Sequence, residues 1–506
     1  MKAGRKQWIG LAVLVLPVLL ISVDLHVLSY ALPFISADLA PSGAQLLWII
    51  DIYPFMLAGL LLPMGTLGDR VGRRRLLVAG AVAFGAASAV AAFSPSADLL
   101  IVTRALLGVG GATLMPSTLS LIRNMFHDDG QRRVAIAIWT GAFAGGAMLG
   151  PLMGGALLEH FWWGSVFLVN LPVMALLLVL APLLLPESRD PRPGRFDLLG
   201  VALSLGAILP AIYGIQHLAQ DGFGWVPVLA IAVGLTLGVA FVRRQRAAAD
   251  PMLDVRLFGS RAFTAAIGAN TLGVFAMVGS SLFTTQYLQM VMGARPLIAG
   301  LYALPSAGMA MLAAGLAPVL VRRVPPGLVV CVGLLIGASG FAMLSRLDVT
   351  GQSGLLIAGI MLMAGGVTLV LTVSSDLIIA TAPPERAGSV AGLSQVATEF
   401  GGALGISLLG SIGTAVYRAH LAGAPAPALD TLGGALESAR HLPEPAGTAL
   451  AAAAREAFTQ GQHYAMIAAA VALVLMALAA PVMLRAVRQA NRPDPRPRHS
   501  ARHEVH

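Results

Sequence analysis

Residues 65–75 read GTLGDRVGRRR and separate two long apolar stretches of the chain. The run holds Asp69 and four arginines, and a charge cluster of this density cannot lie in the hydrocarbon core of a bilayer. It therefore predicts a tight loop at a membrane surface. Because short cytoplasmic loops are enriched in lysine and arginine, the arginines indicate the cytoplasmic surface.

The glycines of this run let two helix ends approach each other closely. Asp69 can then reach arginine side chains or the N-terminal amides of a neighbouring helix. The residues alone leave two interpretations open, an ordinary positively charged loop and a conformational switch. The candidate switch residues here are Gly65, Gly68, Asp69, Arg70, Gly72 and Arg73.

The composition predicts an all-α polytopic membrane protein. Of the 506 residues 57% are hydrophobic and 11% are charged, and the mean hydropathy is +0.81, whereas a soluble domain has about 25% charged residues. The net charge of +9 is therefore a signal of membrane topology, and we expect no nucleic-acid partner. The single cysteine, Cys331, excludes an intrachain disulfide and a cysteine metal cluster, and no metal site is predicted.

Apolar runs of about 20 residues predict fourteen transmembrane spans. Of the 33 basic residues, 27 fall on the side of the N-terminus and five on the opposite side, so we expect both termini in the cytoplasm. The start of the chain has no small-residue cleavage site and predicts a retained first helix. The predicted spans are 9–33, 46–66, 76–93, 99–121, 134–158, 164–186, 197–217, 226–242, 262–290, 297–321, 327–345, 353–380, 389–416 and 462–484.

A weak internal repeat divides these spans. Span 5 carries Gly146-xxx-Gly150 and span 13 carries Gly401-xxx-Gly405, each following a cytoplasmic arginine. The repeat predicts two six-helix bundles with an inserted helix pair between them. The predicted domains are an N-terminal bundle over 1–190, the inserted pair over 191–256, a C-terminal bundle over 257–486 and a disordered cytoplasmic tail over 487–506.

Residues 417–461 are predicted to form one long loop on the outer face. Two stretches in this loop, GALESARHL and ALAAAAREAF, are predicted as short helices lying over that face.

Several motifs together resemble one transporter family. They are VDLHVLSYALP (23–33), LLWIIDIYPFMLAG (46–59), the arginine-rich run, LIVTRALLGVGGA (100–112), GAMLGPLMGGALLEHFWWGSVFLVNLP (146–172) and DPMLDVRLF (250–258). In this order they resemble the fourteen-helix branch of the drug:proton antiporters of the major facilitator superfamily, most closely the exporters of quaternary ammonium compounds and methyl viologen. The resemblance implies the major facilitator fold, the inner (cytoplasmic) membrane and the proton as coupling ion, with no other cofactor.

Ionisable residues within predicted spans are candidates for transport chemistry, because a charge at membrane depth is costly unless it faces a cavity or a partner. A carboxyl group in such a cavity can hold either a proton or a lipophilic cation, and this mutual exclusion suits a cation:proton exchanger. The alternatives left open are a packing hydrogen bond for Asp24, a pairing with Arg104 for Asp51, and a structural role for Glu399. The predicted proton-coupling residues are Asp24, Asp51, Arg104 and Glu399.

Span 5 contains a second group of candidate switch residues. Its proline removes a helix hydrogen bond and its glycines permit close packing against a neighbouring helix. The family resemblance implies that this segment is the antiporter signature. The residues are Gly146, Gly150, Pro151, Gly154 and Gly155.

A lipophilic cation also needs apolar and aromatic walls. Ordinary packing is the alternative for every aromatic residue named. The predicted substrate-binding residues are Asp24, Tyr30, Trp139, Phe143, Phe275, Phe283, Tyr287, Gln395 and Glu399.

Together with the family resemblance, which alone favours export over import, these observations predict a secondary exporter driven by inward proton flow. It is expected to move lipophilic, cationic compounds by alternating access and to act as a monomer in the bilayer. Nucleotide-binding loops and metal clusters are absent from the sequence, so we expect neither an enzyme nor an ATP-driven pump. A narrow-specificity antibiotic or metabolite exporter, a proton-coupled importer and a non-transport membrane protein remain alternatives. Span 10 carries Gly308-Met309-Ala310 where some of the resembled exporters carry an acid, which puts dicationic substrates in doubt.

Overall fold

The computed structural model describes residues 3–189, 197–248, 255–380, 387–424 and 426–484. These residues form fourteen helices that are long and apolar enough to cross a membrane, which confirms the predicted number of spans. Numbered along the chain, spans 1–14 are Arg5–Leu39, Gly43–Val71, Arg73–Ala92, Ala97–Met125, Gly130–His160, Ser165–Leu184, Leu198–Ala219, Trp225–Ala247, Arg261–Val291, Pro296–Arg323, Pro326–Leu344, Ser353–Ile378, Leu393–His420 and Ala446–Met483.

The arginine-rich run is not the loop that the sequence predicted. Span 2 continues through Val71, and span 3 begins at Arg73, so only Gly72 separates the two helices. Gly72 has φ +116°, a conformation that favours glycine. The expectation of a tight loop between predicted spans 46–66 and 76–93 was wrong because long charged side chains, including the exposed Arg70, can reach water from a helix end.

The long outer loop is also shorter than predicted. Span 14 is one helix of 38 residues from Ala446, so ALAAAAREAF belongs to it and is not a separate helix. Alanine is the strongest helix former, and no proline or glycine pair interrupts this stretch. The other predicted short helix is present at Leu432–Arg440, preceded by Ala426–Asp430. The predicted tail over 487–506 lies outside the described residues.

Corresponding helices pack alike in the two halves of the chain. Span 1 packs against span 5, span 2 against span 4, and span 3 against span 4. In the second half, span 9 packs against span 13, span 10 against span 12, and span 11 against span 12. The two six-helix bundles are therefore present, whereas the residue at which each domain begins and ends stays a prediction.

The two bundles meet toward one face, here called the distal face, which carries the end of span 1 and the start of span 2. Gln289 on span 9 donates a hydrogen bond of 3.3 Å to the carbonyl of Tyr30 on span 1. Arg295, just before span 10, forms an ion pair with Glu159 near the end of span 5. These contacts join the bundles at their distal ends.

The inserted spans 7 and 8 pack against each other, and span 7 also packs against span 2 and span 13. Phe55, Ile212 and Ala403, one from each of these three spans, form a buried apolar cluster. Span 7 therefore covers a junction between the two bundles, and it is not merely a lipid-facing addition to the fold.

Candidate functional site

Asp24 and Arg104 form a buried ion pair between span 1 and span 4. A guanidinium nitrogen of Arg104 donates to Asp24 Oδ2, and each side chain is 1% exposed. Arg104 Nε also donates to the carbonyl of Ile49, at 3.1 Å. The alternative that Arg104 pairs with Asp51 is therefore wrong, because Arg104 reaches the backbone of span 2 while Asp51 faces other helices.

Three residues that the sequence analysis did not single out complete this ion-pair site. Asn170 on span 6 has its amide nitrogen 3.4 Å from Asp24 Oδ1 and 3.1 Å from the hydroxyl of Ser88 on span 3. The guanidinium carbon of Arg104 lies 4.5 Å from the centre of the Tyr53 ring, within cation–π distance. Asn170 could have been noticed as a polar residue in a strongly apolar span.

The ion pair has a clear energetic consequence. A buried charge left without its partner costs about 3–5 kcal/mol. Any event that neutralises Asp24 therefore changes the energy of the Arg104 guanidinium strongly. The arrangement can convert a change in protonation into a change in helix packing.

Asp51 forms a second buried site at the junction of three helices. Its Oδ2 atom accepts hydrogen bonds from the hydroxyl of Ser407 on span 13 and, at 3.1 Å, from the amide of Gln216 on span 7. Gln216 Nε2 also lies 3.2 Å from the Ser407 hydroxyl. Neither Ser407 nor Gln216 was predicted, because their pairing with Asp51 depends on how distant spans pack.

Glu399 is the buried acid of the C-terminal bundle, at 6% exposure. One carboxylate oxygen accepts a hydrogen bond of 2.7 Å from Gln395, one turn earlier on span 13. The adjacent Thr398 accepts a hydrogen bond of 3.0 Å from Asn270 on span 9. Within the part of the chain that the structure describes, Glu399 forms no ion pair with a basic side chain, so its charge can be met by a proton or by a cationic ligand.

Tyr53 of span 2 lies beside the Asp24–Arg104 ion pair. Its hydroxyl is buried and has no hydrogen-bond partner among the described residues. The structure therefore brings together two of the four predicted proton-coupling residues, Asp24 and Arg104, beside this ring, whereas Glu399 lies on span 13 of the other bundle. Asp51 faces the separate three-helix junction.

The aromatic residues predicted to line the cavity on spans 1 and 5 make the following contacts, and their binding role stays a prediction. Tyr30 is tied to span 9 through its backbone carbonyl. Trp139 is half-buried and donates a hydrogen bond of 3.0 Å to the hydroxyl of Thr118 on span 4. The half-buried Phe143 accepts a hydrogen bond of 2.6 Å from Ser22 through its carbonyl.

The predicted aromatic residues on span 9 occupy different depths. The backbone of Phe275 lies against Gly405 of span 13. Phe283 instead lies against Gly413, which follows Glu399 by 14 residues, or about 21 Å along a helix. Tyr287 donates from its hydroxyl to the carbonyl of Asp348 at 2.6 Å. Phe283 and Tyr287 are thus packed toward the distal face and do not lie beside Glu399.

At the opposite face, the arginine-rich run is tied to the segment after span 6. Arg73 donates to Asp69 at 2.5 Å, and its backbone N–H donates to the carbonyl of Ser188 at 2.9 Å. Glu187 accepts a hydrogen bond of 3.1 Å from the backbone of Arg74. Asp69 does reach an arginine, as predicted, and Glu187 is a partner that the sequence analysis missed.

The glycines of this run differ in how closely they are packed. A Cβ atom at Gly72 would lie 2.6 Å from Glu187, and one at Gly68 would lie 2.9 Å from Arg73. The nearest atom to a Cβ at Gly65 would be 3.8 Å away, which is an ordinary contact. The neighbours of Gly68 and Gly72 are the ends of flexible side chains, so it is the positive φ angle of Gly72 that most strongly favours glycine in this run.

The glycines of span 5 pack closely, as predicted. A Cβ atom at Gly146 would lie 2.6 Å from the carbonyl oxygen of Leu19, and one at Gly150 would lie 2.8 Å from His26 Cβ, both on span 1. Gly154 makes a similar approach to the same span, where a Cβ would lie 2.9 Å from a side chain. These three glycines hold spans 1 and 5 together within the N-terminal bundle.

Gly155 and Pro151 face the other bundle. A Cβ atom at Gly155 would lie 2.7 Å from the Cα atom of Leu297, and one at Gly300 would lie 2.6 Å from the carbonyl oxygen of Pro151. Span 5 and span 10 therefore meet backbone to backbone at the distal face. A role of these residues in switching stays a prediction.

Comparison with known proteins agrees with this architecture. The profile of the Major Facilitator Superfamily matches residues 14–406. The chain is 46% identical to the multidrug efflux pump LfrA of Mycolicibacterium smegmatis, over 95% of this chain and 96% of LfrA. It is 36% identical to the methyl viologen resistance protein SmvA of Salmonella typhimurium, over 94% of this chain and 97% of SmvA.

Solved structures share the fold at low sequence identity. A bacterial homologue of the human lysosomal transporter Spinster, in an inward-facing and unoccupied conformation, matches with a TM-score of 0.66 and 20% identity, over 98% of this chain and all of that chain. A peptide transporter of the POT type matches with a TM-score of 0.62 and 17% identity, over 94% of this chain and 95% of that chain.

Proposed function

This chain belongs to the major facilitator superfamily and to its multidrug exporters, and on that premise we propose that it exports lipophilic cations in exchange for protons. One observation carries the choice of substrate. Glu399 is buried without a basic partner among the described residues, so a cationic substrate can supply the missing charge.

The electrostatic gain is large enough to select for charge. At 4 Å and an effective dielectric constant of 20, a unit charge pair is worth about 4 kcal/mol. A neutral compound of the same size gains little from Glu399. A proton on Glu399 removes this attraction, so proton and cation compete for one carboxyl group.

Asp24 and Arg104 supply the second part of the proposed cycle. Protonation of Asp24 would leave Arg104 without its counter-charge, and the bundle would have to repack around the guanidinium. Coupling of this kind needs two states whose relative energy changes with protonation. The buried ion pair is suited to that role because both side chains are shielded from water.

The proposed orientation has both termini in the cytoplasm of the producing cell and the distal face outside the inner membrane. The distribution of basic residues supports it, with 27 on the side of the N-terminus and five opposite. The bundles would then be joined at the outside and the conformation described here would face the cytoplasm. We further propose that the chain acts as a monomer, with the lipid bilayer as its other partner.

Transport in proteoliposomes tests this function. We expect an imposed pH gradient to drive uptake of ethidium into vesicles in which the cytoplasmic face is outside, and a protonophore to abolish it. Glu399→Gln should lose this transport, whereas Asp376→Asn, a change at an exposed acid near the end of span 12, should keep it. Equal transport of ethidium and a neutral antibiotic by both variants would contradict cation recognition.

Orientation has its own test. In a Cys331→Ser background, a cysteine at Arg346 should react with an impermeant maleimide added to intact cells, and one at Arg322 should not. Both positions are exposed. Arg322 lies at the end of span 10 and Arg346 just after the end of span 11, so span 11 separates them across the membrane. The reverse labelling would overturn the proposed direction of transport.

A further inference from the structure

The Asp51 site contains two buried oxygen atoms that have no hydrogen-bond partner among the described residues. One is Asp51 Oδ1 and the other is Gln216 Oε1. The side chains that carry them are already joined, because Gln216 Nε2 lies 3.1 Å from Asp51 Oδ2. Buried polar atoms are rarely left unpaired, so this pair of acceptors calls for a physical explanation.

A single proton on Asp51 would explain both atoms. An ionised carboxylate only accepts hydrogen bonds, whereas a protonated carboxyl group also has one O–H to donate. An amide carries both a donor and an acceptor, so Gln216 can serve Asp51 in either state. We propose that Gln216 of the inserted span 7 is a positioning residue that donates to ionised Asp51 and accepts the hydrogen bond of protonated Asp51.

The surrounding packing holds the three side chains in register. Each of the three polar residues lies four positions, about one helical turn, from the member of the apolar cluster on its own span. The pairs are Asp51 and Phe55 on span 2, Gln216 and Ile212 on span 7, and Ser407 and Ala403 on span 13. The polar layer is thus stacked on an apolar one at the same junction. Span 7 contacts both bundles at this junction, so the inserted pair can couple Asp51 to movement of the bundles.

Charged groups on the neighbouring helices are engaged elsewhere. Arg104 on span 4 is bound to Asp24, and Asp98 near the start of span 4 accepts a hydrogen bond from Gln45. Glu399 on span 13 lies two turns before Ser407. His217, which follows Gln216, is half-buried, and its ring nitrogen is hydrogen-bonded to the carbonyl of Tyr213 in its own helix, at 3.0 Å. The described contacts of Asp51 are therefore made by uncharged groups, and the amide of Gln216 is one of the two side chains that bind its carboxyl group.

Infrared difference spectroscopy of the purified full-length protein between acidic and alkaline pH tests this proposal. The carbonyl band of a protonated carboxyl group reports the hydrogen bonds of that group. We expect one such band to vanish in Asp51→Asn, which assigns it, and to shift in Gln216→Met, which keeps the side-chain length without an acceptor. Gln216→Ala removes the same acceptor without added bulk and keeps the test valid if methionine packs poorly.

Ser204→Ala is the matched control on span 7, because that hydroxyl donates to the carbonyl of Val201 in its own helix. Its spectrum should equal that of the wild type. An Asp51 band that is unchanged in both Gln216 variants, or no band lost in Asp51→Asn, would overturn the proposal.

A second measurement reports bundle movement. Spin labels at Pro95 and Arg346, on exposed distal positions of the two bundles, give a distance distribution in the Cys331→Ser background. Loss of a hydrogen bond to a charged group should change the ratio of open to closed populations roughly tenfold in Gln216→Met. An unchanged ratio would contradict the link between Gln216 and the bundles.

The role of Gln216 in coupling rests on the proposed function, but the measurements that test it do not. Neither the infrared band nor the spin-label distance requires transport. A chain that exports nothing could still give the expected spectra, and a working exporter could fail to give them. The two proposals can therefore fail separately.

Discussion

Arg104 and Asp24 are 80 residues apart in the chain, and they form an ion pair in which each side chain is 1% exposed. The pair joins span 4 to span 1, and Arg104 extends the contact to span 2 through the Ile49 carbonyl. Three helices of the N-terminal bundle therefore depend on the charge of one carboxyl group. This relationship makes Asp24 the first residue to test.

Asp24→Asn should abolish efflux driven by a proton gradient while the protein remains inserted. The amide has nearly the shape of the carboxyl group but cannot bind and release a proton. The measurement is ethidium efflux at matched expression. Asn170→Asp is not a suitable rescue of this variant, since it moves the charge to another helix, so Asp24→Glu is the conservative comparison. Near-normal efflux by Asp24→Asn would show that Asp24 does not couple transport.

Glu399→Gln should weaken the binding of monovalent cationic dyes much more than that of a neutral drug of similar size. The lost attraction is on the order of a few kcal/mol at an effective dielectric constant near 20. Dye affinity of the wild type should rise with pH, because proton and cation compete for the carboxyl group, and this dependence should flatten in the variant. Equal losses for both ligands with the pH dependence retained would indicate a packing residue.

Asp69→Asn should impair conformational switching and leave the substrate site intact. The change weakens the 2.5 Å contact with Arg73 at the face opposite the distal one. Equilibrium ethidium binding should therefore stay near the wild-type value while transport falls. Glu187→Gln, which alters the neighbouring contact with Arg74, should have the same signature. Binding lost as completely as transport would contradict this separation of roles.

Gly155→Ala should hinder closure of the distal face. The added Cβ atom would lie 2.7 Å from the Leu297 backbone, which cannot move without separating spans 5 and 10. Spin labels at Pro95 and Arg346 should show a larger open population than in the wild type. Gly141→Ala, with no atom within 4 Å of the new Cβ, is the matched control on the same helix. Identical distributions for the two variants would show that this contact does not control closure.

Residue patterns were sufficient to predict the fourteen membrane spans but not the partners of the buried polar groups. Asp24, Arg104 and Glu399 were identified because a charge within an apolar span is conspicuous. Asn170, Gln216 and Ser407 were missed, since uncharged polar residues are common in membrane helices. Which carboxyl group meets Arg104 depends on how each helix is rotated about its axis.

Two local features show the same limit. A run of arginines indicates a membrane surface whether it lies in a loop or at a helix end. Only the backbone of the folded chain therefore showed that Gly72 is the sole residue between spans 2 and 3. Phe283 and Tyr287 share the aromatic character expected of a binding cavity. Their depth relative to Glu399 was decided by the packing of span 9 against span 13.

The sequence by itself determined the membrane class, the fourteen spans and the expected side of the arginine-rich run. It could do so because hydrocarbon requires each helix to satisfy its own backbone hydrogen bonds, which makes these properties local. Tertiary structure alone decided that Asp24 meets Arg104 and that Asp51 meets Gln216 and Ser407. Those contacts join residues 80 to 356 positions apart, and they arise only when whole helices pack in one arrangement.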